Sequence, residues 1–139
     1  MKYVLVTGGF DPIHSGHISY FKHASKLGDK LIVGLNSDDW LERKKGRPFM
    51  PFDERAEIIE NLKMVDQVIG FDDSVDHNGA SSAIFKLRAT VLGNQDELIV
   101  ANGGDRIEGK VPEQVTWGET HGVSFVFGIG GSEKQNSSR

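Results

Sequence analysis

Residues 8–17 read GGFDPIHSGH and follow directly on the apolar, β-branched run YVLVT. His14 and His17 stand one helical turn apart once a helix begins here, so both imidazoles face one side and Gly16 leaves room for a ligand between them. Gly8 and Gly9 permit a sharp turn and let a phosphate approach the backbone. His14 or Ser15 marks the amino-terminal end of the helix, where unpaired amides and the macrodipole favour an anion. Two imidazoles donating to phosphate oxygens would stabilise the charge that grows in a phosphoryl-transfer transition state. The plain reading, two surface histidines at a helix start, is disfavoured by the strand–turn–helix setting. Asp11 is open between capping the helix and orienting a histidine.

Two further clusters carry chemistry. In ERKKGRP (42–48), Lys44 and Lys45 offer compact charges to a phosphate, and Arg47 offers a fork that can bind one bidentately. The competing reading is a solvated basic turn. In NGGDR (102–106), Gly103 and Gly104 let a base and ribose lie against backbone, Asp105 can accept from a sugar hydroxyl or base amine, and Arg106 stands near a phosphate. A glycine turn capped by aspartate would look the same in isolation. Arg55 occupies the first turn of the helix in DERAEII, the unfavourable end for a cation, so another group must hold it there.

Strands and helices alternate around these clusters. Tyr3–Thr7, Leu31–Leu35, Gln67–Phe71, Leu98–Ala101 and Val123–Phe127 read as buried strands. A helix from Ser15 puts Ile18, Phe21 and Ala24 on one face and stops at Gly28. Ser37 or Asp38 caps a short helix leading into the basic loop. Asp53 caps an amphipathic helix with Ile58, Ile59 and Leu62 inward. Weaker helices cover Gly79–Arg88 and Val111–His121. The alternation predicts one α/β domain over residues 1–139: a Rossmann-like, doubly wound, parallel five-stranded sheet with helices on both faces. In such sheets ligands bind outside the carboxyl ends of the strands, and GGFDPIHSGH, NGGDR and the tail FGIGGSEKQNSSR all follow strands there.

GGFDPIHSGH resembles the H-x-G-H signature of the nucleotidyltransferase superfamily that includes glycerol-3-phosphate cytidylyltransferase, ADP-heptose synthase and phosphopantetheine adenylyltransferase. The similarity continues through ASKLGDKLIVGLNSD, GRPFMPFDERAEIIENLKMVDQVI and GGDRIEGK to a Ser-Ser tail, in the family's order. The resemblance implies a homodimer, Mg2+ and direct attack of a substrate phosphate on the α-phosphorus of a nucleoside triphosphate. By it, His14 and His17 bind the triphosphate, Gly8, Gly9, Phe10 and Asp11 line the nucleotide, and a lysine at 44 or 45 bridges the two substrates. Arg55, with Arg47, supports the site from behind. Near the carboxyl end the family's usual arginine is missing; Lys134 stands in for its charge, and Ser137 and Ser138 match the hydroxyl pair that meets the triphosphate. GGDRIEGK is similar to the G-D-D-W-E-G-K stretch of the cytidylyltransferases, which favours CTP over ATP.

Composition narrows the partners. The chain has 37% hydrophobic and 26% charged residues, as a folded domain does, and no cysteine, so it carries neither disulfides nor a thiolate metal site. Sixteen Lys and Arg against 20 Asp and Glu give a net charge of −4, which disfavours a nucleic-acid polymer as partner. His23, His77 and His121 lack companions at metal-ligand spacing, and Trp40 and Trp117 read as packing residues. No stretch approaches a membrane span and the first apolar run is too short for a signal peptide, so no membrane association and a cytoplasmic location are expected. The combined expectation is a cytidylyltransferase acting on a polyol or sugar phosphate with release of pyrophosphate. The alternatives are an ATP-dependent adenylyltransferase of the heptose-phosphate, pantetheine-phosphate or nicotinamide-mononucleotide type, or a nucleotide-binding module without turnover.

Overall fold

Each apolar, β-branched run becomes a strand, because side chains that bury both faces of a sheet need no polar alternation. A computed structural model describes residues 1–74, 81–93, 95–103 and 123–129. It contains β1 (Lys2–Gly8), β2 (Lys30–Leu35), β3 (Gln67–Gly70), β4 (Glu97–Gly103) and β5 (Val123–Ile129). All pair in parallel, in the order β3-β2-β1-β4-β5. The helices are α1 (Ser15–Ser25), α2 (Asp38–Lys45), α3 (Phe52–Glu60) and α4 (Ser81–Thr90). The helix expected over Val111–His121 and the polar tail lie outside the described residues. No described helix is long and apolar enough to cross a membrane.

Alternation along the strands divides the core in two. Val4 and Val6 of β1 join Phe21 and Ala24 of α1 and Ile59 of α3 on one face. Leu5, between them, joins Ala83, Ile84 and Leu87 of α4 on the other. The sheet is therefore covered on both faces, as its continuous apolar strands require. The chain moves outward from β1 to β2 and β3, then returns to lay β4 on the far side of β1. That reversal leaves a crevice between the carboxyl ends of β1 and β4, the place where such sheets hold ligands.

Local boundaries differ from expectation in three places, each for a physical reason. Lys44 and Lys45 belong to the last turn of α2 rather than to a loop, where cations complement the helix dipole. The chain leaves that helix at Gly46, whose φ of +94° is a glycine conformation. α3 begins at Phe52 with Pro51 at its N-cap and no side-chain cap, so Asp53 lies inside the first turn instead of capping it. The inward face of α3 is also rotated: Arg55 and Ile59 are buried, Ile58 is 38% exposed, and Leu62 packs on the core beyond the helix end. Arg55 takes the position, one turn before Ile59, that an apolar residue would normally hold.

This rotation predicts different costs for adjacent isoleucines. Ile59→Ala should lose about 2–5 kcal/mol of stability by urea denaturation, as for a buried large-to-small change. Ile58→Ala should stay within about 1 kcal/mol.

Candidate functional site

The loop from β1 to α1 is shaped by Phe10. Its φ is +50°, rare for a residue with a side chain, and its ring is buried against Phe21 and edge-on to His17, with centroids 5.0 Å apart in both cases. The ring folds back over Gly8, where a Cβ would stand 2.9 Å from it; a Cβ at Gly9 would meet Leu41 at the same distance. The glycine pair is thus required by packing as well as open to a ligand. Phe10 contributes its ring to the core and props His17 from beneath.

The two histidines form a reciprocal cap. The amide of Gly16 donates to Nδ1 of His14 at 3.1 Å, and the amide of His14 donates to Nδ1 of His17 at 3.2 Å. The rings stack with centroids 3.8 Å apart at 17°. An amide always donates, so both Nδ1 atoms are unprotonated acceptors, and each neutral ring carries its proton on Nε2. Burial, and then the neighbouring His14, push His17 down to about 4, so it stays neutral near pH 7. Among the described residues, the Nε2 of His14 is buried with no hydrogen-bond partner. An orphaned buried donor at a ligand crevice calls for an acceptor. Three backbone amides at this helix end are already used: Gly16 N on His14, and His17 N and Ile18 N on the carbonyl of His14. The imidazoles add donors beside these engaged amides.

Three buried polar side chains hold the surrounding segments. Arg55, fully buried, donates through Nε to the carbonyl of Met50 (3.0 Å), through one terminal nitrogen to the carbonyls of Gly9 and Asn36 (2.9 Å each), and through the other to Asp38 (2.7 Å). This explains a cation in the first turn of a helix: one carboxylate and three carbonyls surround it. Asp11, 1% exposed, neither caps α1 nor orients a histidine. Its carboxylate accepts from the amides of Phe49 (2.6 Å) and Met50 (2.7 Å) and pairs with Nζ of Lys45 at 3.1 Å. Burial alone would raise its carboxyl; those donors outweigh it and hold Asp11 below the usual carboxylate range. Asp73 accepts from Nδ2 of Asn36, from the amide of Ser37 and from its hydroxyl, which itself caps α2.

Asn36 and Asn102 fall inside the stretches ASKLGDKLIVGLNSD and NGGDR but carry no assigned role there, Asp73 falls in no motif, and all three are buried. Their one signal is position: Asn36 and Asn102 stand at the carboxyl ends of β2 and β4, and Asp73 just beyond β3. Trp40 lies between the glycine loop and Lys44, whose Nζ is 5.6 Å from the ring centroid. Arg47 is exposed beyond Gly46. Gly103 ends β4 beside a break in the β4–β5 register, and the hydroxyl of Tyr20 on α1 donates to the carbonyl of Ala101 in β4, spanning the crevice. Gly104, Asp105, Arg106, Lys134, Ser137 and Ser138 lie outside the described residues, as do His77, His121 and Trp117. Among the described residues no three of His, Asp and Glu come together to hold a metal ion.

A family model described as cytidylyltransferase-like matches residues 5–105. The chain is 35% identical over 133 residues to the bifunctional protein HldE of Yersinia enterocolitica, covering 92% of this chain and 26% of that protein. Against HldE of Vibrio cholerae it is 34% identical over 135 residues, covering 96% and 24%. The chain thus spans about a quarter of the length of these curated relatives. The crystal structure of a lipopolysaccharide core biosynthesis protein from Thermoplasma volcanium superposes with a TM-score of 0.71 at 25% identity, over 98% of this chain and 99% of that one.

The depressed His17 sets a pH signature. Its folded value, about 4, lies below its ordinary 6.5, so between these values the unfolded chain binds a proton that the folded one refuses. Stability should therefore be full above pH 6.5 and decline as pH falls toward 4. His17→Asn, which keeps an acceptor near Nδ1, should flatten the denaturation midpoint across that window.

Proposed function

Because the chain belongs to the cytidylyltransferase-like family, we propose that it transfers a nucleotidyl group from a nucleoside triphosphate to a small phosphorylated acceptor. The observation that carries the reading is the pair of capped imidazoles with Nε2–H on each ring, one of them orphaned, beside the β1/β4 crevice. With Nδ1 engaged and Nε2 protonated, neither ring can take a proton, so neither acts as a general base. None is required: an acceptor phosphate dianion attacks the α-phosphorus through an oxygen that carries no proton, the bond from that phosphorus to the bridging oxygen breaks, and pyrophosphate leaves. What the reaction needs is donors aimed at the growing charge, held so that they do not reorganise. The histidine pair meets that requirement. Lys44, on the last turn of α2, adds a cation for the phosphates.

Mg2+ belongs to this reading through the family pattern. The described residues contain no carboxylate cluster for it, and Asp11 has both oxygens engaged. The ion would be carried on triphosphate oxygens and water, where it would neutralise phosphate charge.

For the nucleotide, the relatives favour ATP over the CTP expected from GGDRIEGK. The matches to HldE run nearly the length of the chain, and the solved structure of similar fold is that of a lipopolysaccharide core biosynthesis protein. Of GGDRIEGK, only Gly103 falls among the described residues. Adenylyl transfer from ATP to a sugar phosphate of the heptose type is accordingly the specific reading. Sedimentation equilibrium is the measurement for the homodimer that the family pattern implies.

Pyrophosphate release decides the assignment, measured with ATP or CTP, Mg2+ and a panel of sugar and polyol phosphates. Release with ATP and a sugar phosphate is expected. Release with CTP alone would restore the cytidylyltransferase reading, and binding of triphosphate without release from any would mark a binding module. In the active pair, His14→Asn should fold as the parent does, keeping the cap acceptor but losing Nε2–H. It should lower kcat by roughly 10²–10³, as for one preorganised donor.

A further inference from the structure

Lys44 and Lys45 are adjacent on α2, yet the fold uses them differently. An ammonium has three donors. Lys45 directs Nζ at the Asp11 carboxylate (3.1 Å) and the Asp11 carbonyl, and sits 4.6 Å from the centroid of the Phe49 ring. The same carboxylate, with 0% of its side chain exposed, receives the amides of Phe49 and Met50. Residues 45–50 therefore close into a ring whose two ends meet on Asp11, with Gly46 making the turn. Met50 then passes its carbonyl to Arg55, which also holds Gly9. Movement at Lys45 is transmitted to the glycine–histidine loop through Asp11, a residue of that loop. Two of its three donors are spent on Asp11, and moving Nζ away from Asp11 to a substrate phosphate would break the ring and leave a buried carboxylate without its cation, a costly state.

We propose that Lys45 is a positioning residue: its ion pair with Asp11 latches residues 46–50 onto the histidine loop. The kinetic arm of the test rests on the nucleotidyl-transfer reading; the latch itself does not.

The test uses the full chain in two arms. In amide NMR without substrate, Lys45→Met should move the Phe49 and Met50 resonances upfield as the unlatched segment lengthens its hydrogen bonds to Asp11. Lys44→Met should leave them in place, and Lys45→Arg should restore them. Unmoved amides in Lys45→Met would overturn the latch whether or not the protein turns over any triphosphate, so this arm separates failure of the latch from failure of the proposed activity. In kinetics, Asp11→Asn and Lys45→Met should each lower kcat about tenfold, and the double variant should be no slower than either single one, as for two halves of one contact. Acceptor KM should stay within about twofold in Lys45→Met and rise about tenfold or more in Lys44→Met. Multiplicative losses in the double variant, with acceptor KM raised by Lys45→Met, would make Lys45 a direct ligand and refute the proposal. If Asp11→Asn fails to fold, the Lys45 variants alone decide it.

Discussion

The buried guanidinium of Arg55 is the constraint on which the rest of the site depends. Removing a cation from water costs several kcal/mol, and only full satisfaction of its donors offsets that. Here four N–H groups reach Gly9, Asn36, Met50 and Asp38, which belong to the β1–α1 loop, the end of β2, the segment before α3 and the start of α2. Three stretches that sequence separates, around Gly9, Asn36–Asp38 and Met50, are thereby fixed around one planar group. Lysine could not replace it: a single ammonium cannot fan its bonds across that spread. The geometry of the histidine loop is held from behind by this fully buried side chain.

Above that support, packing and protonation are coupled. Phe10 accepts a left-handed backbone to put its ring under His17, which requires glycine at 8. The buried position holds His17 neutral, and neutrality is what allows Nδ1 to accept an amide and Nε2–H to remain as donor. A protonated ring would carry more charge but would lose the cap that orients it. The arrangement favours direction over charge, which suits a reaction whose barrier is lowered by positioned dipoles rather than by covalent work. The cationic side chains gather instead at the end of α2, where the helix dipole helps hold them.

Asp11 and Asp73 show how carboxylates are kept inside an acidic protein. Both stand beyond the carboxyl ends of strands, and both are buried and held by donors, Asp11 by two amides and Lys45, Asp73 by Asn36 and Ser37. Their negative charge is absorbed inside the scaffold, tying α2 to its neighbours. The donors of the histidine pair are left for a ligand.

Much of this protein was legible in its sequence for reasons that are local. Strand identity follows from apolar β-branched runs, α1 from the spacing of Phe21 and Ala24, and the pairing of His14 with His17 from helical pitch; none depends on distant residues. A parallel sheet covered on both faces also follows from the alternation of strands and helices, whereas the order that places β4 beside β1 is read only from the structure. What needed tertiary structure was every role set by a long-range partner. Ile58 faces solvent and Arg55 is buried because four acceptors converge on Arg55. Asp11, open in sequence between a helix cap and a histidine partner, becomes an anchor because residues 45–50, far along the chain, fold back onto it. Lys44 and Lys45 are equivalent as letters and diverge only because one of them lies over a buried carboxylate. Periodicity reports which way a side chain faces along its own element; which charge it meets there is decided by how the elements are stacked.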